Sequence, residues 1–310
     1  MAETDKPDSS KPENRPSSEA PPIVIPKPMK TPMYEAQNAE RYLRQARIKE
    51  MQEDANSRLL CYVAGAGAGI TRDDALGIGE LLHNVPRGSN IDFLLHTGGG
   101  DIDAAEKLVS MLRAAVGKEG RFRVVVPDFS KSAGTLIALA ADKVLMSDSS
   151  ELGPIDPQFS KKDGEGNVRW HSVLNYLNAY QLTCEQLRAN PDDLPAKVML
   201  SKLDPTTVVQ FEAIKRRARM LAEQHLNRWM FHSKGGNYTK IASELMDTNR
   251  WPAHGQMIGW EDAKEMGLEI EYLAPDTKEW RSYWSLYCQQ RLAVKDGQIL
   301  FESDYASLPM

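Results

Sequence analysis

Short apolar runs alternate with amphipathic helical segments through the first half of the chain. Four runs have strand length and are bounded by turn residues: SRLLCYVAG (57–65), IDFLLHT (91–97), FRVVVPD (122–128) and KVLMS (143–147). The segments DDALGIGELLHNV, DAAEKLVSMLRAAV and SAGTLIALAA between them have the pattern of helices. Strands without polar alternation, connected by helices, are typical of a parallel sheet that is covered on both faces. The pattern therefore predicts an α/β core that ends near Gln158.

The second half of the chain is predominantly helical in pattern. SVLNYLNAYQLTCEQLRAN and TTVVQFEAIKRRARMLAEQHLNRWMF repeat apolar residues every 3.6 positions or so, which predicts a helical insertion at about residues 170–250. This insertion interrupts a domain that we expect to span residues 33–275. Residues 1–32 are rich in Pro, Ser, Glu and Lys, which predicts a disordered tail. Residues 276–310 are aromatic and irregular in pattern, and the sequence assigns no role to this C-terminal extension.

Composition narrows the class of protein. The 310 residues are 41% hydrophobic and 26% charged, the proportions of a globular protein, and the net charge of −5 argues against binding nucleic acid through a basic surface. Three cysteines without a CxxC pair argue against a disulfide framework and a structural zinc site. No apolar run reaches 18 residues and no signal peptide is visible, so we expect a soluble, cytoplasmic protein without a membrane span.

No cofactor is indicated by the motifs. The GAGAG run at 65–69 lacks the third glycine of a dinucleotide fingerprint, because that position is Ile70. The chain contains neither a Walker motif nor an HExxH metal site. We therefore expect neither cofactor nor metal.

Two turns at the ends of neighbouring strands carry the candidate chemistry. Gly98, Gly99 and Gly100 follow the strand at 91–97, where backbone amides without side chains can face an oxyanion. Ser132 lies where the next strand gives way to a helix, with the Ala133 amide beside it. Each feature alone is also typical of an ordinary turn or helix cap. Together they supply a nucleophile and an oxyanion hole, the requirements of acyl transfer.

These segments resemble a known family. HTGGG, SKSAGT and AADKVLMSDSSELGPIDPQ follow one another as in the serine dehydrogenase proteinase family, a distant relative of the proteolytic subunit of Clp protease and of signal peptide peptidase A. The resemblance covers roughly residues 40–270. It implies a Clp protease- or crotonase-like spiral of ββα units, a serine hydrolase that acts on peptide or protein substrates, and self-association into a homo-oligomer. One departure is Gly98, where the usual pattern has proline.

A serine nucleophile needs a base to take its proton. His254 lies in a non-helical segment, whereas His171, His225 and His232 lie on or beside helices with polar neighbours and are interpreted as surface residues. His96, beside the glycine run, is expected to pack within the sheet. Asp156 stands in the rigid turn LGPIDPQ, where it either orients a histidine or caps the turn.

The resemblance implies a triad in the order Ser, Asp, His, which corresponds to Ser132, Asp156 and His254. The family's usual acidic residue after the histidine is here Gly255. A Ser–Lys dyad is the alternative, with Lys161 or Lys162 as the base, although KKDGEGN has the composition of a solvated loop.

The sequence therefore predicts a serine peptidase-like hydrolase in which Ser132 attacks and the amides of Gly99, Gly100 and Ala133 bind the oxyanion. Two other functions stay open at this point: a crotonase-type acyl-CoA enzyme on the same spiral, and a catalytically inactive oligomeric adaptor.

Overall fold

The computed structural model describes residues 30–162, 164–232 and 235–310. The predicted disordered tail lies almost entirely outside these residues, and its last residue, Pro32, begins helix α1 (Pro32–Gln37). The chain divides into two units, Met1–Ala39 and Glu40–Met310. The second unit contains the elements that position the site.

A seven-stranded sheet forms the centre of the second unit, in the order β11-β10-β1-β2-β3-β5-β9. Its strands are β1 (Arg58–Ala64), β2 (Ile91–His96), β3 (Phe122–Val125), β5 (Lys143–Met146), β9 (Ile270–Tyr272), β10 (Ile299–Glu302) and β11 (Ser307–Pro309). From β1 to β9 every pairing is parallel. The predicted α/β class and its parallel sheet are confirmed.

Helices cover both faces of this sheet. The helices that follow α1 are α2 (Ala39–Ala55), α3 (Asp74–Leu82), α4 (Ile102–Val116), α5 (Ala133–Ala138), α6 (Val173–Ala189), α7 (Leu194–Ser201), α8 (Pro205–His225), α9 (Tyr238–Leu245), α10 (Trp260–Glu265) and α11 (Lys278–Ala293), of which α6 and α7 belong to the insertion described below. Alternate residues of β1 belong to two different cores: Leu60 and Tyr62 pack with α3, α4 and α5, whereas Leu59 and Cys61 pack with α2 and α11. Burial on both faces explains why the strands lack polar alternation.

A second, short parallel sheet runs beside the first and consists of β4 (Phe129–Ser130) and β6 (Glu151–Leu152). The unit β3-β4-α5 thus places one strand in the central sheet, one in the short sheet, and then a helix. The residue after β2, Thr97, pairs with Ser130 in the same way. These ββ steps place the glycine run beside the serine turn.

The region predicted as a helical insertion is helical from residue 173 onward. A hairpin of β7 (Gln158–Lys162) and β8 (Val168–Ser172) leads into α6, α7 and α8, and a π-helical turn at Leu226–Met230 continues α8. The base of this insertion has its own small apolar cluster, which contains Val173, Leu177 and Phe211. Among the described residues no helix is long and apolar enough to cross a membrane.

The interpretation of residues 276–310 as irregular is wrong. This segment forms α11, β10 and β11, and β10 pairs antiparallel with β1 at the sheet edge. Its pattern misled because β10 is fully buried yet ends in a charged residue, Glu302. That carboxylate accepts hydrogen bonds at 2.9 Å from both Nε and Nη2 of Arg44, which allows the charge to be buried.

Candidate active site

The glycine run lies directly against the serine turn. Gly99 has a φ of 104°, a conformation that side-chain-bearing residues rarely adopt. A Cβ added to Gly99 would lie 2.8 Å from the Cβ of Ser132 and 3.3 Å from the Ala133 nitrogen. The structure therefore brings together the two turns that the sequence singled out, and only glycine fits between them.

Ser132 occupies a strained position at the start of α5. Its φ of 52° and ψ of −114° are unusual for a residue with a side chain. Its side chain makes no capping hydrogen bond, although it stands at the N-cap of the helix. The helix-cap interpretation of Ser132 therefore lacks the contact that would define it. A sharp, strained turn between strand and helix is also the local geometry of nucleophile elbows.

The backbone amides around Ser132 differ in their availability. The Gly99 amide donates to Oγ1 of Thr97 at 3.1 Å. The amides of Gly100 and Ala133 have no acceptor within the part of the chain that the structure describes. Two free amides, one from each turn, can hold the two lone pairs of an oxyanion. The role predicted for the Gly99 amide stays a prediction.

Asp156 and His254 are brought together from separate segments. Oδ2 of Asp156 lies 3.8 Å from Nδ1 of His254, a buried ring nitrogen without a hydrogen-bond partner among the described residues. Asp156 is 5% exposed and accepts hydrogen bonds from Ser172 Oγ at 2.6 Å and Gln158 Nε2 at 2.8 Å. These contacts hold the carboxylate toward the histidine. No hydrogen bond joins Ser132 to His254 in the described residues, and such bonds are often long in unliganded enzymes.

Among the described residues, no hydrogen bond or ion pair joins Lys161 or Lys162, the alternative bases, to Ser132, Asp156 or His254. Lys161 and Lys162 are exposed on β7. Sequence reasoning missed Lys131, which directly precedes Ser132 and is 8% exposed. Its Nζ contacts the Glu151 carboxylate and two backbone carbonyl oxygens. The sequence signal for a buried Lys131 was its position in SKSAGT, between the strand β4 and the buried helix α5.

Two other histidines are buried away from this group. His96 is 1% exposed, packs on Phe129 and Tyr287 as expected, and burial lowers its pKa to about 3. The surface interpretation of His225 is wrong: it is 3% exposed, its Nδ1 lies 2.9 Å from the Leu136 carbonyl oxygen, and burial lowers its pKa to about 4. His225 follows Ala218, Leu221 and Ala222 at helical spacing, so the buried face of α8 was readable in the sequence.

A known family matches the segment of the chain that carries these motifs. Residues 68–171 match the profile of the ClpP-like SDH-type serine proteinases. This segment of the chain is therefore similar to the SDH-type serine proteinases. That SDH-type segment contains Ser132, the glycine run and Asp156, whereas His254 lies beyond it. The resemblance seen in the sequence motifs is confirmed.

Two curated relatives come from Methanocaldococcus jannaschii. Uncharacterized protein MJ0137 is 28% identical over 207 residues, which are 67% of this chain and 62% of the relative. Uncharacterized protein MJ1495 is 26% identical over 206 residues, which are 66% of this chain and 60% of the relative. The chain thus spans less than two thirds of the length of either relative.

Solved structures of proteases resemble this chain at low similarity. A mutant of the membrane-bound stomatin-specific protease 1510-N is 17% identical, with a TM-score of 0.39, over 70% of this chain and 81% of its own. ClpP1 from Listeria monocytogenes is 13% identical, with a TM-score of 0.38, over 72% of this chain and 95% of its own. The roles of individual residues therefore rest on the geometry of this chain.

Proposed function

We propose that this chain is a serine peptidase in which Ser132 is the nucleophile, His254 the base, and Asp156 the residue that orients the base. The observation that carries the proposal is the strained turn at Ser132: its hydroxyl caps nothing, and it lies against the glycine run and the Ala133 amide. Strain of this kind persists where the surrounding structure enforces it, and such positions cluster at active sites.

The proposed reaction follows from these positions. Ser132 Oγ attacks the carbonyl carbon of the peptide bond while His254 accepts the hydroxyl proton. The carbonyl oxygen gains the negative charge, which the amides of Gly100 and Ala133 stabilise, with Gly99 as the further predicted donor. His254 then gives its proton to the leaving amine, and an acyl-enzyme forms on Ser132. Water, activated by the same histidine, releases the acyl group and restores the serine.

In this scheme Asp156 orients the ring of His254 and compensates the positive charge that the ring gains. Its carboxylate lies 3.8 Å from His254 Nδ1, so a movement of about 1 Å completes a hydrogen bond. The bond would fix the tautomer that leaves Nε2 free to take the serine proton, and it would stabilise the imidazolium. Ser172 and Gln158 keep Asp156 in place during this exchange.

The compartment and the assembly belong to the same proposal. The three cysteines, Cys61, Cys184 and Cys288, are free thiols in the described chain, which fits a reducing, cytoplasmic location. Self-association into a homo-oligomer is inferred from the family resemblance. Light scattering of the purified chain would test it, with a mass of a single 34.7 kDa chain as the contradicting result.

Cleavage of an unfolded protein substrate tests the function. Casein incubated with the native chain should yield new N-termini detectable by mass spectrometry, and Ser132→Ala should abolish them. Ser130→Ala is the matched control, because Ser130 lies two residues away and its buried Oγ has no hydrogen-bond partner in the described residues. Equal cleavage by the native chain and Ser132→Ala would refute the role of Ser132. A folded chain that cleaves nothing but melts higher with acyl-CoA would favour the crotonase-type alternative, and one that neither cleaves nor binds would favour the adaptor.

A further inference from the structure

We propose that Lys131 is a positioning residue that holds the His254 loop, defined here as residues 246–259, at the nucleophile turn. The inference rests on the proposed function and adds to it a contact that fixes the position of His254, the proposed base. Lys131 acts through the carbonyl group of Gln256, two residues after His254, rather than on the substrate.

The side chain of Lys131 is fully engaged. Nζ lies 2.5 Å from Oε2 of Glu151, 3.1 Å from the carbonyl oxygen of Leu152 and 3.2 Å from that of Gln256. An ammonium group has three N–H donors, and all three have acceptors here. Because its three donor positions are directed at these acceptors, Lys131 contributes structural alignment and not base catalysis.

The backbone of Lys131 is fixed as firmly as its side chain. Its amide donates to the Thr97 carbonyl at 3.0 Å, and its own carbonyl accepts from the Gly134 amide at 2.7 Å. Gly153 makes room for the stem, since a Cβ there would lie 2.6 Å from Cδ of Lys131. One residue therefore joins the strand that leads into Ser132 to the loop that carries the base.

The His254 loop has few other attachments near the histidine. Trp251 is anchored by its amide and its Nε1, and Ile258 pairs with Leu152 in both directions at 2.9 and 3.0 Å. Between these two anchors, the contact of Lys131 with Gln256 is the one hydrogen bond that ties the described loop to another segment. His254 Nδ1 stands 3.8 Å from Asp156, so a small displacement of this stretch decides whether that bond forms. Loss of the Lys131 contact should therefore displace His254 from the position in which it can bond to Asp156 and accept the serine proton.

The rate of fluorophosphonate labelling at Ser132 tests this role. Because a displacement of about 1 Å can cost 10²-fold in rate, we expect Lys131→Met to label roughly 10- to 100-fold more slowly than the native chain. Lys131→Arg, which keeps a cation within reach of the carbonyls, should recover part of the loss. Lys161→Met is the matched control, because Lys161 is exposed on β7, and it should label at the native rate.

A double-mutant cycle separates positioning from general stability. If Lys131 acts through His254, Lys131→Met should cause no further loss in a His254→Ala background. Hydrogen exchange gives a readout that needs no activity: amides at 253–257 should exchange faster in Lys131→Met while those of β1 and β2 stay protected. The exchange data also show whether the variant has folded.

The outcomes distinguish this inference from the proposed function. If the native chain labels at Ser132 and folded Lys131→Met labels at the same rate, the positioning role is overturned while the proposed function stands. If Lys131→Met lowers the labelling rate by the same factor in the native and the His254→Ala backgrounds, the positioning role is also overturned. An unchanged rate of amide exchange at 253–257 overturns it as well. A folded native chain that does not label at all contradicts the proposed function, and this inference falls with it.

Discussion

Replacement of Gly99 by alanine should damage both the fold and the site. The φ of 104° places an added Cβ in a conformation that costs about 1–2 kcal/mol for an L-residue. The same Cβ would lie 2.8 Å from the Cβ of Ser132 and 2.9 Å from the Lys131 carbonyl oxygen. Since the latter is backbone, the clash cannot be relieved by a rotamer change, and overpacking adds about 1–3 kcal/mol. The expected loss in free energy of unfolding is about 2–5 kcal/mol.

Urea unfolding followed by circular dichroism measures this loss, and the neighbouring glycine supplies the control. A Cβ added to Gly98 meets no atom within 4 Å, and its φ is not in the left-handed region, so Gly98→Ala should unfold within about 0.5 kcal/mol of the native chain. Fluorophosphonate labelling of Gly99→Ala should also fall, because the added methyl group displaces Ser132 and the Ala133 amide. Equal stability of Gly99→Ala and Gly98→Ala would refute the reasoning.

Three further predictions concern the strain at Ser132, the role of Asp156 and the burial of His225. Ser132→Gly should be about 1 kcal/mol more stable than Ser132→Ala in urea, because glycine relieves the strain at a φ of 52°; equal stabilities would argue against that strain. Asp156→Asn should slow casein cleavage by about 10²–10⁴-fold with little change in melting temperature, since it no longer fixes the His254 tautomer; an unchanged rate would remove Asp156 from the site. Burial lowers the pKa of His225 to about 4, so as pH falls from about 6.5 to 4 the unfolded chain takes up a proton that the folded chain excludes, and about 3 kcal/mol of stability is lost. His225→Asn, which retains a donor toward the Leu136 carbonyl, should flatten this dependence in urea titrations, and an unchanged slope would contradict the assignment.

The central sheet was predictable because burial on both faces leaves a simple signal. The strands at 58–64 and 91–96 are continuous apolar runs, and the helices between them repeat at 3.6 residues. The antiparallel edge was not predictable in this way. Glu302 stands in a fully buried strand, and its burial depends on Arg44, which is 258 residues away in sequence. Pairings at such separation leave no local pattern.

The candidate site, too, was predictable from the sequence only in part. The glycine run follows β2 and Ser132 follows β3 and β4; because β2 and β3 are neighbours in the sheet, the proximity of the two turns followed from strand order. The approach of Asp156 to His254 depends on how the loop after α9 folds back, which periodicity does not encode. The role of Lys131 depended on contacts with Leu152 and Gln256, both through backbone carbonyls that every residue carries. Side-chain chemistry could therefore suggest the nucleophile, but not the scaffold of the base.

The most direct test of the account is the site of covalent modification by a fluorophosphonate probe. The native chain should carry one adduct, localised to Ser132 by peptide mass spectrometry, which is absent in Ser132→Ala, forms only at a slow residual rate in His254→Ala and is retained in Ser130→Ala. Such probes acylate a serine efficiently only where a base and an oxyanion hole are assembled. An adduct on another residue, or none on a folded native chain, would contradict the account.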